Sequence, residues 1–148
     1  MFEEMKKIVL SGETYPIKCD LVVLEMAQNK YGSISNFEDG LITWEKVPDE
    51  DGEPVLDEDG IPKLDEKGEP VKAEKVQGKF PDVQTVNDAL YWMIKEGETC
   101  AAEQEGRTRK EIAREELLRK ADMRLIALAN TLHDEFFRCL MQKNEETT

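Results

Sequence analysis

Histidine occurs once, cysteine three times, and no apolar run approaches the length of a membrane span. Each shortage removes a class of function. A general base needs an orienting partner and a nucleophile within reach. His133 has only Asp134 and Glu135 as sequence neighbours, and on a helix these point elsewhere. It is expected as a half-buried core or interface histidine. Cys19, Cys100 and Cys139 are odd in number, far apart and without a C-x-x-C pair. That spacing fits reduced thiols rather than a disulfide framework, and Cys19 and Cys139 read as small buried hydrophobes. A span needs about 20 apolar residues. The opening Met1-Phe2-Glu3-Glu4-Met5-Lys6-Lys7 also lacks the basic and then apolar regions of a secretory signal. Walker, dinucleotide-fingerprint, zinc and nucleophile-elbow patterns are missing too. The expectation is a protein without enzymatic activity, metal or cofactor, and without a membrane partner.

What the chain has in excess is negative charge. Twenty Lys and Arg face 33 Asp and Glu over 148 residues, a formal net charge of −13. Such a chain repels a phosphate backbone. The densest basic run, Arg107-Thr108-Arg109-Lys110, is answered at once by Glu111, Glu115 and Glu116, as on a solvated helix start. No nucleic-acid partner is expected. The length suits one domain, 1–148.

Residues 6–19 read as a β-hairpin. Two apolar runs, Lys7-Ile8-Val9-Leu10 and Tyr15-Pro16-Ile17-Lys18-Cys19, flank the turn Ser11-Gly12-Glu13-Thr14. Asp20 reads as the N-cap of a helix over 21–31 with Leu21, Leu24, Ala27 and Tyr31 inward, and Gly32 as its C-terminal stop. Ser35 with Glu38 suggests a short capped helix that Gly40 limits. Residues 41–47 are β-branched and aromatic enough for a strand.

An eight-residue repeat follows, over 49–56, 57–64 and 65–72, each unit carrying a Gly turn and a Pro. Residues 49–79 hold 11 acidic and 5 basic residues, a net of −6. Their apolar content is too small to offset the ordering entropy of a packed unit. Residues 41–79 are therefore expected as an exposed acidic insertion, part mobile and part hairpin, with strand 41–47 pairing near 70–77. Asp49-x-Asp51-Gly52 and Asp57-x-Asp59-Gly60 invite a calcium reading. With each Gly at loop position 6, Glu58 and Glu66 fall at position 12, but position 1 is Val47 or Val55, which offers no side-chain oxygen. Acidic turn chemistry is the reading kept.

Residues 82–143 are expected to be helical. Thr85 with Asp88 resembles a capping box, Val86, Ala89, Leu90, Met93 and Ile94 form an apolar stripe, and Gly97 is expected to end it. Thr108 with Glu111 matches the same box and is expected to open one helix reaching about Gln142. Its first half is charged. Its second half carries two apolar rows, one through Leu125, Leu128, Leu132 and Phe136, the other through Ile126, Ala129, His133, Phe137 and Leu140. That half is expected to be packed on both sides. The fold class is thus mainly α with a small N-terminal β-hairpin, α+β overall.

The opening Ile8-Val-Leu-Ser-Gly-Glu-Thr-Tyr-Pro-Ile17, running into a helix that ends Lys30-Tyr31-Gly32, resembles the tail assembly chaperones of long-tailed phages and prophages. Val86-Asn-Asp-Ala-Leu-Tyr-Trp-Met-Ile-Lys-Glu-Gly97 and the C-terminal helix are similar to the later helices of that group. The resemblance covers about residues 6–38 and 82–143; the repeat departs from it. It implies a non-enzymatic role in the infected host cell's cytoplasm. Such a protein coats the helical tape-measure protein, helps recruit tail-tube protein, and is absent from the finished virion. Aromatic and apolar side chains dominate interface hot spots. The expected partner-binding residues are accordingly Trp92, Ile126, His133, Phe137, Leu140 and Met141, with self-association left open. Two other roles stand beside this one: an acidic DNA mimic that inhibits a host DNA-binding enzyme, and a structural tail component.

Overall fold

A computed structural model describes residues 4–141. Residues 1–3 and 142–148 lie outside the described residues, including the expected helix end at Gln142 and the first three residues of the opening Met1–Lys7 segment. The chain divides into two compact units, one formed by residues 1–42 and 81–148, the other by residues 43–80. Among the described residues there are five helices and two antiparallel two-stranded sheets. The fold is mainly α with a small N-terminal hairpin, as the sequence patterning indicates.

The first unit opens with β1 (Lys6–Leu10) and β2 (Glu13–Ile17), paired so that Leu10 faces Glu13. Ser11 (φ 49°) and Gly12 (φ 79°) both take left-handed backbone, the conformation that matches the twist of a two-residue hairpin. Ile8, Leu10 and Ile17 point inward and are buried. Asp20 then caps α1 (Leu21–Tyr31), accepting the Val22 and Val23 amides, and Gly32 closes the helix in the left-handed region. The buried face of α1 is Val23 and Ala27. Of the expected row, Ala27 is buried and Leu24 and Tyr31 pack against the core, but Leu21 is 80% exposed. Contact with the rest of the core, not spacing alone, sets the rotation of this helix.

In α2 (Ile34–Leu41) the cap is Ser33, whose Oγ accepts the Asn36 amide. The expected Ser35–Glu38 box does not form: Ser35 already lies inside the helix, and Glu38 is engaged with His133. A similar correction applies to α3 (Val83–Glu105). Its cap is Asp82, which accepts both the amide and the hydroxyl of Thr85. The expected partner Asp88 is instead buried and bonded to Lys30, Tyr31 and Arg114.

Gly97 does not end α3. The helix continues through it to Gly106, and the glycine serves a different purpose. A Cβ at Gly97 would come within 2.2 Å of the Pro16 carbonyl oxygen. The missing side chain lets β2 lie directly on α3, and the Lys18 amide donates to the Met93 carbonyl at 3.0 Å.

The single helix expected over 108–142 is two: α4 (Arg114–Lys120) and α5 (Leu125–Met141). Long-range bonds divide it. Glu98 on α3 accepts the Lys110 amide at 2.6 Å and the Arg107 guanidinium, which holds the segment after Gly106 out of helical geometry and leaves Thr108 without a helix to cap. α4 is preceded by Ala113, which makes no side-chain cap. At its other end, Asp122 accepts the Ser11 amide while the Ser11 hydroxyl donates to the Lys120 carbonyl. The hairpin tip thus occupies the Lys120 carbonyl, which a continuous helix would give to the amide four residues on.

The core of this unit joins the hairpin, α1–α3 and α5, with Leu117 from α4. At its centre Phe37 stacks on Trp92 (centroids 6.0 Å apart) and meets Phe136 edge-on at 5.5 Å. Tyr31 closes the cluster against Phe37.

The second unit holds β3 (Trp44–Pro48) and β4 (Glu74–Gly78), with Lys46 opposite Val76 and Pro48 opposite Glu74. The three repeats between them form a ring made of two short hairpins and a third pairing that continues the β3–β4 ribbon. Leu56 pairs with Pro62, Leu64 with Pro70, and Lys72 with Pro54. At the centre the Val55 amide donates to the Val71 carbonyl, the Val71 amide to Lys63, and the Lys63 amide to Val55. These three residues are eight apart in sequence, so the repeat closes on itself with pseudo-threefold symmetry. The strand expected over 41–47, observed as β3, pairs with residues 74–78, close to the expected 70–77. Hydrogen bonds rather than an apolar core hold the ring. Asp57 Oδ1 accepts the amides of Asp59 and Ile61, and Asp65 Oδ1 those of Lys67 and Glu69. These aspartates thus bind their own turns.

Candidate functional site

α5 divides its apolar side chains between two faces. Leu128, Ala129, Leu132 and Phe136 are buried, along with Glu135. Ile126, Phe137, Leu140 and Met141 are exposed, Phe137 at 51% and Met141 at 62%. The helix is therefore packed on one side, not on both. Residues 126, 130, 133 and 137 succeed one another at helical spacing, so Ile126, Asn130, His133 and Phe137 form one outward row. His133 lies in the row half-buried, its ring stacked 6.2 Å from that of Phe137 and its Nε2 2.9 Å from Glu38 Oε2. α2 and α5 are thus fastened beside the exposed row.

Five of the six expected partner residues come together on α5. Trp92 does not join them: it is 9% exposed and packs in the aromatic cluster. Its remaining edge reaches a shallow cleft of about 190 Å³ with Val22, Met26, Lys95 and Arg109. Beside that cleft, Leu21 and Val22 on α1 are exposed, a second apolar patch the sequence reading missed because it placed Leu21 inward.

The charged groups of the first unit are tied into its packing. Asp88 receives Lys30 at 2.6 Å, Tyr31 at 2.6 Å and Arg114 at 2.8 Å. Burial opposes ionisation, but the Lys30 ammonium, the Tyr31 hydroxyl and the Arg114 guanidinium outweigh it and hold the Asp88 carboxyl below its ordinary value. Tyr31 is raised to about 12, first by burial and then by its bond to Asp88. Arg107 likewise lowers the Glu98 carboxyl.

Asp20, Glu96 and Cys100 each place one potential ligand atom within 4.8 Å of the others. Asp20 Oδ1 already caps α1. The hydrogen bond between the Glu96 and Asp20 carboxyls, reinforced by burial and by the Asp20 charge, pushes Glu96 up to about 7. Burial raises the Cys100 thiol, and burial is also the main cause raising that of Cys19. Neither sits in surroundings that favour a thiolate.

No family model, curated protein or solved structure matches the chain. No helix among the described residues is long and apolar enough to cross a membrane.

Proposed function

We propose that this chain is a non-enzymatic tail assembly chaperone of a long-tailed phage or prophage. It works in the host cytoplasm, holds the tape-measure protein before the tail tube forms around it, helps recruit tail-tube protein, and is left out of the finished virion. The observation that carries this reading is the outward row of α5. Ile126, Phe137 and Leu140 offer an apolar stripe that complements one face of a helical client. The hairpin-to-helix opening that carries the family resemblance forms as a structural unit, capped by Asp20 and stopped at Gly32. The charge of −13 keeps a complex with an aggregation-prone client in solution.

The test is co-expression with the tape-measure protein of the same phage. The intact chain raises the soluble fraction of that protein and co-purifies with it. A chain carrying Ile126→Glu and Phe137→Glu folds but loses both effects, because the replaced side chains are already in water. Failure of the intact chain to bind or solubilise the tape-measure protein refutes the proposal.

A further inference from the structure

The ring of hairpins in the second unit has two unlike faces. Successive side chains of a strand alternate between faces, and directly opposed residues of paired strands share one. Pro54 and Leu56 therefore share a face, Leu56 shares it with Pro62, Pro62 with Leu64, Leu64 with Pro70, Pro70 with Lys72, and Lys72 again with Pro54. The circuit returns to its start without contradiction, so all six side chains stand on one side of the ring. The same alternation runs from Lys72 down β4 to Val76, across to Lys46, and on to Trp44. Five of the six ring residues are apolar. Leu56 (54%), Leu64 (62%), Val76 (63%) and Trp44 (47%) are all exposed.

Acid surrounds this face. The three turns present Glu50, Asp51, Glu58, Asp59 and Glu66 to solvent. Residues 49–72 hold ten acidic and three basic residues, a net of −7. That charge decides what can cover the face. A second copy would bring −7 against −7 as the apolar centres met, which repels. A partner with an apolar stripe flanked by Lys and Arg complements both the centre and the rim.

We infer that the Trp44–Leu56–Leu64–Val76 face of the hairpin ring is a docking surface for a cationic amphipathic helix of a protein partner. The inference is independent of the tape-measure reading, which uses α5. Trp44 supplies the aromatic anchor, the leucines and prolines supply rigid apolar area, and the acidic turns draw the partner in and fix its orientation.

The test uses the full chain and a synthetic amphipathic Leu/Lys helix about 18 residues long, with a scrambled peptide of the same composition as control. Binding is followed by peptide anisotropy and by acrylamide quenching of tryptophan, which reports Trp44 because Trp92 is shielded. The expected result is saturable binding that protects Trp44 and is at least about tenfold tighter than for the scrambled peptide. Leu56→Glu with Leu64→Glu should weaken binding at least about tenfold, although the two substitutions make the chain more negative. Ile126→Glu with Phe137→Glu should leave it unchanged. Unchanged or tighter binding by the Leu56/Leu64 variant means that charge attraction alone is at work and overturns the inference. Loss confined to the α5 variant, equal binding of the scrambled peptide, or no binding at all also overturns it. Tape-measure co-purification with the Leu56/Leu64 variant separates this result from the fate of the proposed function.

Discussion

The carboxylate of Glu135, 2% exposed, accepts the backbone amide of Cys19 at 2.7 Å across 116 residues of sequence. Arg138 completes the connection: its guanidinium donates to both Glu135 oxygens and, at 3.0 Å, to the Cys19 carbonyl. The chain just beyond β2 is thereby fastened to α5 by a buried, charge-assisted network. Glu135 falls on the same face as Leu128, Leu132 and Phe136, where a sequence reading expects an apolar residue.

Removing this carboxylate should be costly. Glu135→Ala leaves the Cys19 amide buried without its acceptor and the Arg138 guanidinium without its counter-charge, a loss of about 3–5 kcal/mol. Glu135→Gln keeps the shape and one acceptor oxygen and should cost less. Urea unfolding of the two variants checks both the size and the order of the effects.

Gly97→Ala should destabilise the protein although alanine is the better helix former. The propensity gain is about 1 kcal/mol. The new Cβ would meet the Pro16 carbonyl carbon and oxygen at 2.5 and 2.2 Å, and these are backbone atoms that cannot rotate aside. Displacing β2 from α3 should outweigh the gain by about 2 kcal/mol or more. Thermal unfolding gives the sign directly.

Asp88 and Glu96 should give stability two opposite slopes with pH. The Asp88 carboxyl is held low, so its contribution is present above the unfolded value and is lost as pH falls through the folded one. Glu96 is raised to about 7, so the folded state retains a proton the unfolded state has released. Stability therefore declines between about pH 4.5 and 7 and levels off above. Glu96→Gln should remove that decline and raise stability at pH 8 by about 1 kcal/mol, after solvent screening of a half-exposed pair. Denaturant midpoints taken from about pH 2 to 8 test both slopes.

The first unit should withstand removal of the whole repeat unit, and the ring should not withstand removal of one repeat. The Asp82 amide donates to the Gly40 carbonyl at 2.8 Å, so the two points where the first unit is interrupted are held close. A short Gly/Ser linker in place of residues 43–80 should change the stability of that unit by no more than about 1–2 kcal/mol. Deleting one repeat, 57–64, instead breaks the ring. Slow hydrogen exchange at the Val55 and Val71 amides should disappear, while exchange in α3 stays as it was.

What could be read from the sequence is what neighbours decide. Asp20 caps a helix because its carboxylate reaches amides two and three residues away, and Ser11-Gly12 turns because two adjacent residues can take positive φ. The aspartate turns of the repeat and the 3–4 spacing along α5 are local in the same way, and so the helical content, both hairpins and the outward row of α5 were legible. The remainder rests on groups far apart in sequence. Glu98 and Ser11 divide the last helix by bonds spanning 12 and 109 or more residues. Gly97 faces a strand rather than ending a helix, and Trp92 turns inward because Phe37 is there to stack on. The ring of Val55, Lys63 and Val71 exists only when three repeats close together. A period of eight announces identical units, but whether they trail in solvent or join in a circle is decided by hydrogen bonds that no single unit can make.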